Sequence, residues 1–388
     1  MPQWKQYSGI WTPTQQAQAR AAETWTGIPR PELYAWGSHY SYQLGLGSPA
    51  AAYSSPVQVG TDIDWQQAAT GDQNSIAVKT DGSLWTAGYP DFGVLGNNTG
   101  GGGSPYVSLF SQVGALTNWL QVSTSYVNAG AVKTNGTLWL WGRNDTGGQV
   151  GDGTIINRSS PVQIGAGTNW SHLAVGNTCA VAIKTDGTLW GWGSSANGRN
   201  GLNGVLAFSP VQIGALTTWS KVSHFHTFGF AIKTDGTLWA WGANNNGELG
   251  IGDRTTTSSP VQIGVDTDWA DVAAGYFNGA GIKTDGTLWV WGYNFGGRLG
   301  LNDTASRSSP VQVGALTSWS KVSVGRDGSC AIKNDGTIWA WGYNTYGTNG
   351  QNNTTNYSSP VQIGTNTNWS DVNFGNYSVL AINANPTT

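Results

Sequence analysis

The chain has 388 residues, including 57 Gly and 22 Trp, and only 10% of its residues are charged. Its aromatic content of 12% excludes an intrinsically disordered chain, and the lack of a three-residue Gly period excludes collagen. No apolar run reaches about 20 residues, so we expect no membrane insertion. The formal charge of −3 is not that of a nucleic-acid-binding protein, which needs clustered Lys and Arg.

Residues 1–31 stand before the repeats and carry five large apolar side chains. These are Trp4, Tyr7, Ile10, Trp11 and Trp25. Thr12 and Pro13 suit the cap and first turn of a small helix that would end near residue 27. Because clustered apolar groups mark interaction sites, we expect a docking arm here, with folding back onto the chain's own surface as the alternative. No basic segment leads into an apolar stretch, so no secretory signal peptide is predicted.

From residue 32 onward the sequence repeats at intervals of about 50 residues. One unit reads AIKTDGTLWAWG, then an Asn/Gly-rich loop, then SSPVQIG, and then a segment that begins with Trp. The Asp235-Gly236 turn predicts a hairpin, and Pro260 places its strand on a sheet edge. Seven such four-stranded units over residues 32–388 predict an all-β, seven-bladed β-propeller.

The two chain ends complement each other. The last unit holds only two predicted strands, residues 369–375 and 378–383, and its missing strands occur near the N-terminus as residues 33–37 and 56–60. A closing blade shared by N- and C-terminal strands would remove the open edges of the ring. Cys179 and Cys330 fall in equivalent strands, so we expect buried free thiols.

The repeated phrase, with PVQ following, resembles the RCC1-type (regulator of chromosome condensation) repeat. The resemblance extends over about residues 32–383 and implies a seven-bladed RCC1-like β-propeller, without implying nucleotide exchange, because one fold serves unrelated tasks. The first complete unit departs from it at Ala87, where the others carry Trp. The segment GIWTPTQQAQARAAETW resembles leader segments of tailed-phage virion proteins.

Residues suited to catalysis are few. The four histidines have no zinc-binding spacing, and five aspartates fall in hairpin turns. Asp253 and Asp303 lie in Gly/Asn loops that lack the dense carboxylates of a calcium site. We therefore expect no enzymatic activity, no catalytic residue, no metal and no cofactor.

A binding surface is predicted on the face that carries the loops between first and second strands. These loops differ most between units, and variation on a rigid scaffold suits recognition. Aromatic residues and Arg dominate binding hot spots, so we select such residues and their neighbours in these loops. The predicted partner-binding residues are His224, Phe225, His226, Phe228, Tyr276, Phe277, Arg326 and Tyr377. In the alternative, alternate members of residues 224–228 belong to the strand core.

The leading prediction is a non-enzymatic phage virion structural or host-attachment protein of the tail, fibre or capsid, and the second function below is its alternative. It would dock onto other virion subunits through residues 1–31 and present its loop face to a host-surface protein or glycan. The second is an RCC1-like protein-binding module, cellular or secreted and thus cytoplasmic or extracellular, that regulates or inhibits a partner protein.

Overall fold

The computed structural model describes residues 31–47, 51–100 and 104–384. Within these residues, strands form seven antiparallel sheets of four strands each, which confirms the seven-bladed all-β propeller. The predicted docking arm, with its small helix and its five large apolar residues, lies outside the described residues. Its boundary at residue 31 therefore stays a prediction.

The chain enters through two strands of the closing blade and then builds six complete blades. Those first strands are β1 (Glu32–Ser38) and β2 (Ala52–Gln58). Blade 1 holds β3 (Trp65–Thr70), β4 (Asn74–Lys79), β5 (Leu84–Gly88) and β6 (Val107–Gln112). Blade 2 holds β7 (Trp119–Thr124), β8 (Asn128–Lys133), β9 (Leu138–Gly142) and β10 (Arg158–Gln163). Blade 3 holds β11 (Trp170–Val175), β12 (Cys179–Lys184), β13 (Leu189–Gly193) and β14 (Ala207–Gln212).

The remaining blades follow the same plan. Blade 4 holds β15 (Trp219–His224), β16 (Phe228–Lys233), β17 (Leu238–Gly242) and β18 (Thr257–Gln262). Blade 5 holds β19 (Trp269–Ala274), β20 (Asn278–Lys283), β21 (Leu288–Gly292) and β22 (Arg307–Gln312). Blade 6 holds β23 (Trp319–Val324), β24 (Gly328–Lys333), β25 (Ile338–Gly342) and β26 (Tyr357–Gln362). Blade 7 adds β27 (Trp369–Phe374) and β28 (Ser378–Asn383).

Both chain ends share blade 7, as predicted. Its strand order is β2-β1-β28-β27, and Trp36 of β1 lies opposite Val379 of β28 in an antiparallel ladder. The first strands of successive blades, from β3 to β27, contact one another around the propeller axis, while the Pro-containing strands are outermost. The prediction that Pro260 marks a sheet edge is therefore confirmed.

The recurring T-D-G-T-L-W segment makes a self-contained turn. Asp235 accepts hydrogen bonds from the backbone N–H and the hydroxyl of Thr237, at 3.0 and 2.7 Å, and this hydroxyl accepts one from Trp239 Nε1 at 2.9 Å. Gly236 has φ +77°, a conformation that favours glycine. Lys233 Nζ lies 3.6 Å from the Trp239 ring centroid, a cation–π contact that recurs at other units.

Tryptophans of the WG segments join successive blades. Trp341 is fully buried, and its Nε1 donates a hydrogen bond to the carbonyl of Arg298 in the preceding blade at 3.0 Å. Trp241 donates likewise to the carbonyl of Arg199 at 3.1 Å. Cys179 and Cys330 are buried free thiols, as predicted. Burial raises the pKa of Cys179 to about 12, which leaves it unreactive as a thiolate.

Candidate functional site

The loop face is defined here as the face that carries the loops joining first to second and third to fourth strands; the opposite side is called the turn face. Counting from the Trp that starts each first strand, the eighth residue lies on the loop face beside the propeller axis. We call these seven residues the axial ring: Asp72, Tyr126, Asn177, His226, Tyr276, Arg326 and Asn376. Six of them line one cavity of about 340 Å³ together with Ser125 and Phe225.

Backbone hydrogen bonds and glycine bring these loops together. The N–H of Tyr276 donates to the carbonyl of Gly325 at 3.2 Å, and the N–H of Arg326 donates to the carbonyl of Gly375 at 3.2 Å. The N–H of Asn376 completes the step between blades 7 and 1 by donating to the carbonyl of Gly71 at 3.1 Å. A Cβ at Gly375 would collide with that same carbonyl of Gly71, so only glycine permits this approach.

Three residues of the axial ring, together with the adjacent Tyr377, form a cluster of one arginine and three aromatic rings. The rings of His226 and Tyr276 stack with centroids 3.7 Å apart and planes 17° apart. Arg326 Cζ lies 5.0 Å from the ring centroid of Tyr276 and 5.0 Å from that of Tyr377. The guanidinium is therefore held by cation–π contacts to two tyrosines, one from each neighbouring blade.

Two buried carboxylates lie near this arginine. Asn376 Nδ2 donates a hydrogen bond to Asp72 at 2.6 Å, while burial raises the pKa of Asp72 against the opposing effects of Asn376 and Arg326. Asp327 lies 3.9 Å from the buried guanidinium of Arg298, and burial raises its pKa as well. Each of these two acids therefore has an interaction partner within the protein: Asn376 for Asp72 and Arg298 for Asp327.

The histidine of the axial ring is neutral near pH 7. Burial lowers the pKa of His226 to about 4, and the positive charges of Arg199 and Arg326 push it in the same direction. Arg199 donates hydrogen bonds to the hydroxyl of Thr178 at 2.7 Å and to the carbonyl of Ala196 at 2.8 Å, both uncharged partners. Burial, supported by nearby positive charge, therefore keeps the His226 imidazole uncharged near pH 7.

Six of the eight predicted partner-binding residues are half-buried on the loop face. They are Phe225, His226, Tyr276, Phe277, Arg326 and Tyr377. The other two, His224 and Phe228, need correction because they are buried and present no surface to a partner. His224 ends β15 and Phe228 begins β16, and both side chains pack inside the propeller, His224 with its Nε2 2.8 Å from the carbonyl of Arg199. For His224 and Phe228 the alternative prediction, that alternate residues of 224–228 belong to the strand core, describes the structure.

Several aromatic residues of this face were missed by the sequence analysis. Successive ring centroids from Phe277 through Tyr293 and Phe295 to Tyr343 are 5.8, 6.3 and 5.7 Å apart. A second series links Tyr377 to Tyr346 at 5.0 Å and Tyr346 to Tyr40 at 6.1 Å. We call these seven residues the aromatic arc. An aromatic directly after WG, as in WGYNFG and WGYNTY, was the available signal.

The described residues contain neither a grouped set of metal ligands nor a membrane-spanning helix. In residues 31–47, 51–100 and 104–384, no three His, Cys, Asp or Glu side chains are grouped to hold a metal ion. Asp303 accepts a hydrogen bond from Asn294 Nδ2 at 2.9 Å and pairs with Arg307, so it serves its own loop. No helix of the described residues has the length and apolarity to cross a membrane.

Seven four-stranded blades, closed by both ends of the chain and carrying a loop-face cavity on the axis, define a seven-bladed β-propeller. The chain matches the RCC1-like domain over residues 31–383 and belongs to that family. The predicted resemblance to RCC1-type repeats is confirmed.

Curated relatives match over part of their length. Regulator of chromosome condensation from Homo sapiens is 29% identical over 161 residues, which are 41% of this chain and 38% of that protein. The ultraviolet-B receptor UVR8 from Arabidopsis thaliana is 28% identical over 176 residues, 44% of this chain and 39% of the receptor. The matched region thus spans less than two fifths of either relative.

Solved structures agree in fold. Human WBSCR16 superposes with a TM-score of 0.81 at 21% identity, covering 92% of this chain and 100% of that one. Yeast RCC1 (Prp20), solved with Kap60, superposes with a TM-score of 0.83 at 17% identity, covering 100% of this chain and 95% of that one. At these identities the likeness concerns the fold alone.

The prediction of a phage virion structural or host-attachment protein is wrong. The relatives are cellular RCC1-like proteins, among them a regulator of chromosome condensation and a plant receptor. Virion localisation and virion subunits as partners have no support in these matches. The similarity of the N-terminal segment to phage leader segments was too short to outweigh a family match that extends over residues 31–383.

Proposed function

We propose that this chain is a non-enzymatic, RCC1-like protein-binding module that regulates or inhibits a partner protein through its loop face. The observation that carries the proposal is the cluster at the axial ring, where Tyr276 and Arg326 of the ring pack with the adjacent Tyr377 beside a cavity. Tyrosine and arginine are enriched in the residues that dominate binding energy at interfaces. Rigid blades below would hold this cluster in a binding-ready geometry.

The extent of the aromatic surface favours a protein partner over a small molecule. The cavity of about 340 Å³ is near the lower end for a small-molecule site, whereas the aromatic arc continues well beyond it. Phe295 is 55% exposed and Tyr40 is 65% exposed, so each of the two series of the arc presents a large exposed ring. Apolar rings spread over several blades suit the area that a stable protein interface buries.

Relatives of the same fold supply further support. Prp20p from Saccharomyces cerevisiae has binding properties to Gsp1p and histones, and yeast RCC1 was solved bound to Kap60. These proteins show that a propeller of this fold can bind partner proteins, which supports the protein-binding function proposed here. The partners of those proteins are not carried over, because identity is 17%.

Site-specific photo-crosslinking tests the proposal. One variant carries the photoreactive residue at Tyr126, which is 47% exposed on the loop face, and the matched control carries it at Val265, which is 86% exposed on the turn face. We expect position 126 to crosslink to a partner protein. Excess unmodified protein should abolish this crosslink by competition, whereas an excess of the Tyr276→Ala/Arg326→Ala variant should not. Equal crosslinking from position 265, or equal competition by that variant, would refute binding through the loop face.

A further inference from the structure

We infer that Arg326 recognises a carboxylate of the partner, an Asp or Glu side chain in an acidic segment that enters the axial cavity. This inference rests on the proposed function and names the chemistry of the partner. It follows from three features of the described residues: the contacts that hold Arg326, the internal partners of the two nearby acids, and the presence of a second arginine near the cavity.

Arg326 is held in place without a charged partner. Its guanidinium lies 5.0 Å from each of two tyrosine ring centroids, and its backbone N–H is bound by Gly375. In the described part of the chain, no carboxylate forms an ion pair with it within 4 Å. A guanidinium that has ring contacts and no ion pair keeps N–H donors for a ligand, and these donors match a carboxylate in a bidentate geometry.

Neither nearby acid forms an ion pair with this arginine, although the charge of Arg326 acts to lower the pKa of both against the effect of burial. Asp72 accepts its hydrogen bond from Asn376, and Asp327 lies beside Arg298, which also packs over Phe277 and Tyr293. Each acid therefore already has a partner within the protein. A carboxylate from outside would meet Arg326 without first displacing an internal ion pair, which lowers the cost of binding.

Arg326 is the charged side chain among the residues that line the cavity, and a second arginine acts nearby. Arg199 and Arg326 both act on His226, and Arg199 has the neutral partners Thr178 and Ala196 described above. An arginine pair beside a neutral imidazole attracts an anionic group and would speed its approach. The cavity, at about 340 Å³, suits an inserted side chain and its neighbours in an extended segment.

An acidic protein segment fits better than nucleic acid. Nucleic-acid binding relies on many phosphate contacts from clustered Lys and Arg, while this chain carries a net charge of −3 and presents the Arg326 guanidinium between aromatic rings in the cavity. Aromatic residues around a single arginine are instead typical of protein hot spots. The chemistry of the site therefore favours Asp or Glu.

Titration of the arginine side-chain resonances tests the inference. The protein is labelled with ¹⁵N-arginine and titrated with an acetylated, amidated peptide containing two Glu, with the same peptide containing Gln, and with inorganic phosphate. We expect the Glu peptide to shift the Arg326 Nε–H resonance saturably. It should bind about tenfold more tightly than the Gln peptide, because hydrogen bonds to a charged acceptor are stronger than those to a neutral amide. Arg326→Gln should lose about tenfold in affinity for the Glu peptide.

Arg143→Gln is the matched control. Arg143 lies on the same face and stacks over Phe92 at 4.5 Å, but Asp145 already pairs with it at 2.7 Å, so its loss should leave peptide affinity unchanged. Equal affinity for Glu and Gln peptides, equal loss in both Arg variants, or displacement of the peptide by phosphate at lower concentration would each overturn the inference.

The two proposals can fail separately. If the Tyr126 crosslink to a partner persists unchanged in Arg326→Gln, the carboxylate inference is wrong while loop-face binding stands. If the protein with the photoreactive residue at position 126 and no other substitution gives no crosslink that unmodified protein can compete away, the proposed function is wrong. This holds whatever the peptide titration shows.

Discussion

The imidazole of His224 lies with its Nε2 2.8 Å from the carbonyl of Arg199, a residue of the preceding blade. That carbonyl also accepts the Trp241 Nε1 hydrogen bond at 3.1 Å, so one acceptor joins a histidine and a tryptophan of blade 4 to blade 3. A buried histidine at a blade junction makes the propeller sensitive to acid, because burial disfavours the charged form.

Burial lowers the pKa of His224 to about 4 from an ordinary 6.5. His224 in the unfolded chain therefore binds a proton more readily than in the folded protein. The free energy of unfolding that depends on neutral His224 is fully present above about pH 6.5 and is lost as the pH falls toward 4. Relative to a His224→Gln variant, the wild type should lose about 2 kcal/mol more unfolding free energy between pH 7.5 and pH 5. Urea unfolding at both pH values measures this, and equal losses in the two proteins would contradict it.

The shared blade 7 predicts the effect of truncation. Deleting residues 369–388 removes β27 and β28, which leaves β1 paired with β2 alone and exposes strand edges at the gap. We expect aggregation or loss of cooperative unfolding, measured by size-exclusion chromatography and thermal unfolding. Deletion of residues 385–388 alone, beyond the last strand, is the control and should behave as wild type. A stable monomer lacking 369–388 would count against this closure.

A buried asparagine organises the loop between β17 and β18. Asn244 Oδ1 accepts the N–H of Leu249 at 2.9 Å, and its Nδ2 donates to the carbonyls of Asp253 and Thr255 at 3.2 and 3.1 Å. Asn244→Asp would place carboxylate oxygen against two carbonyls, so we expect a loss of about 3 kcal/mol or more. Asn245→Asp, at the exposed next position, should change stability by less than about 0.5 kcal/mol. Equal urea midpoints for both variants would contradict the role of Asn244.

Glycine at the axial ring gives a packing prediction. Because a Cβ at Gly375 would meet the carbonyl of Gly71, Gly375→Ala should destabilise the protein by about 2 kcal/mol and perturb Asn376. Gly167→Ala is the matched control, since a Cβ there meets its neighbours only at 3.4 Å or more. Thermal unfolding of both variants measures the difference. A Gly375→Ala midpoint equal to that of the control would show that the ring relaxes freely.

The blade architecture could be predicted from the sequence because its determinants are local. Asp235, Gly236 and Thr237 specify a turn through bonds within three residues, and Pro260 lacks the N–H that an inner strand needs. Repetition then multiplies one local pattern sevenfold, and the two half-units at the chain ends make the shared blade the natural closure. The choice of loop face followed from the same alternation of strand direction.

Which side chains reach the cavity was decided only by the tertiary structure. His224 and His226 are two residues apart, yet one is buried against Arg199 in the preceding blade and the other stacks on Tyr276. The reason is that the strand ends between them, so the alternation of a strand no longer governs where the second side chain lies. Arg326 meets tyrosines from blades 5 and 7, about 50 residues away in either direction, because ring closure brings equivalent loop positions to one axis. Local sequence determines the blade; the circular arrangement of blades determines the site.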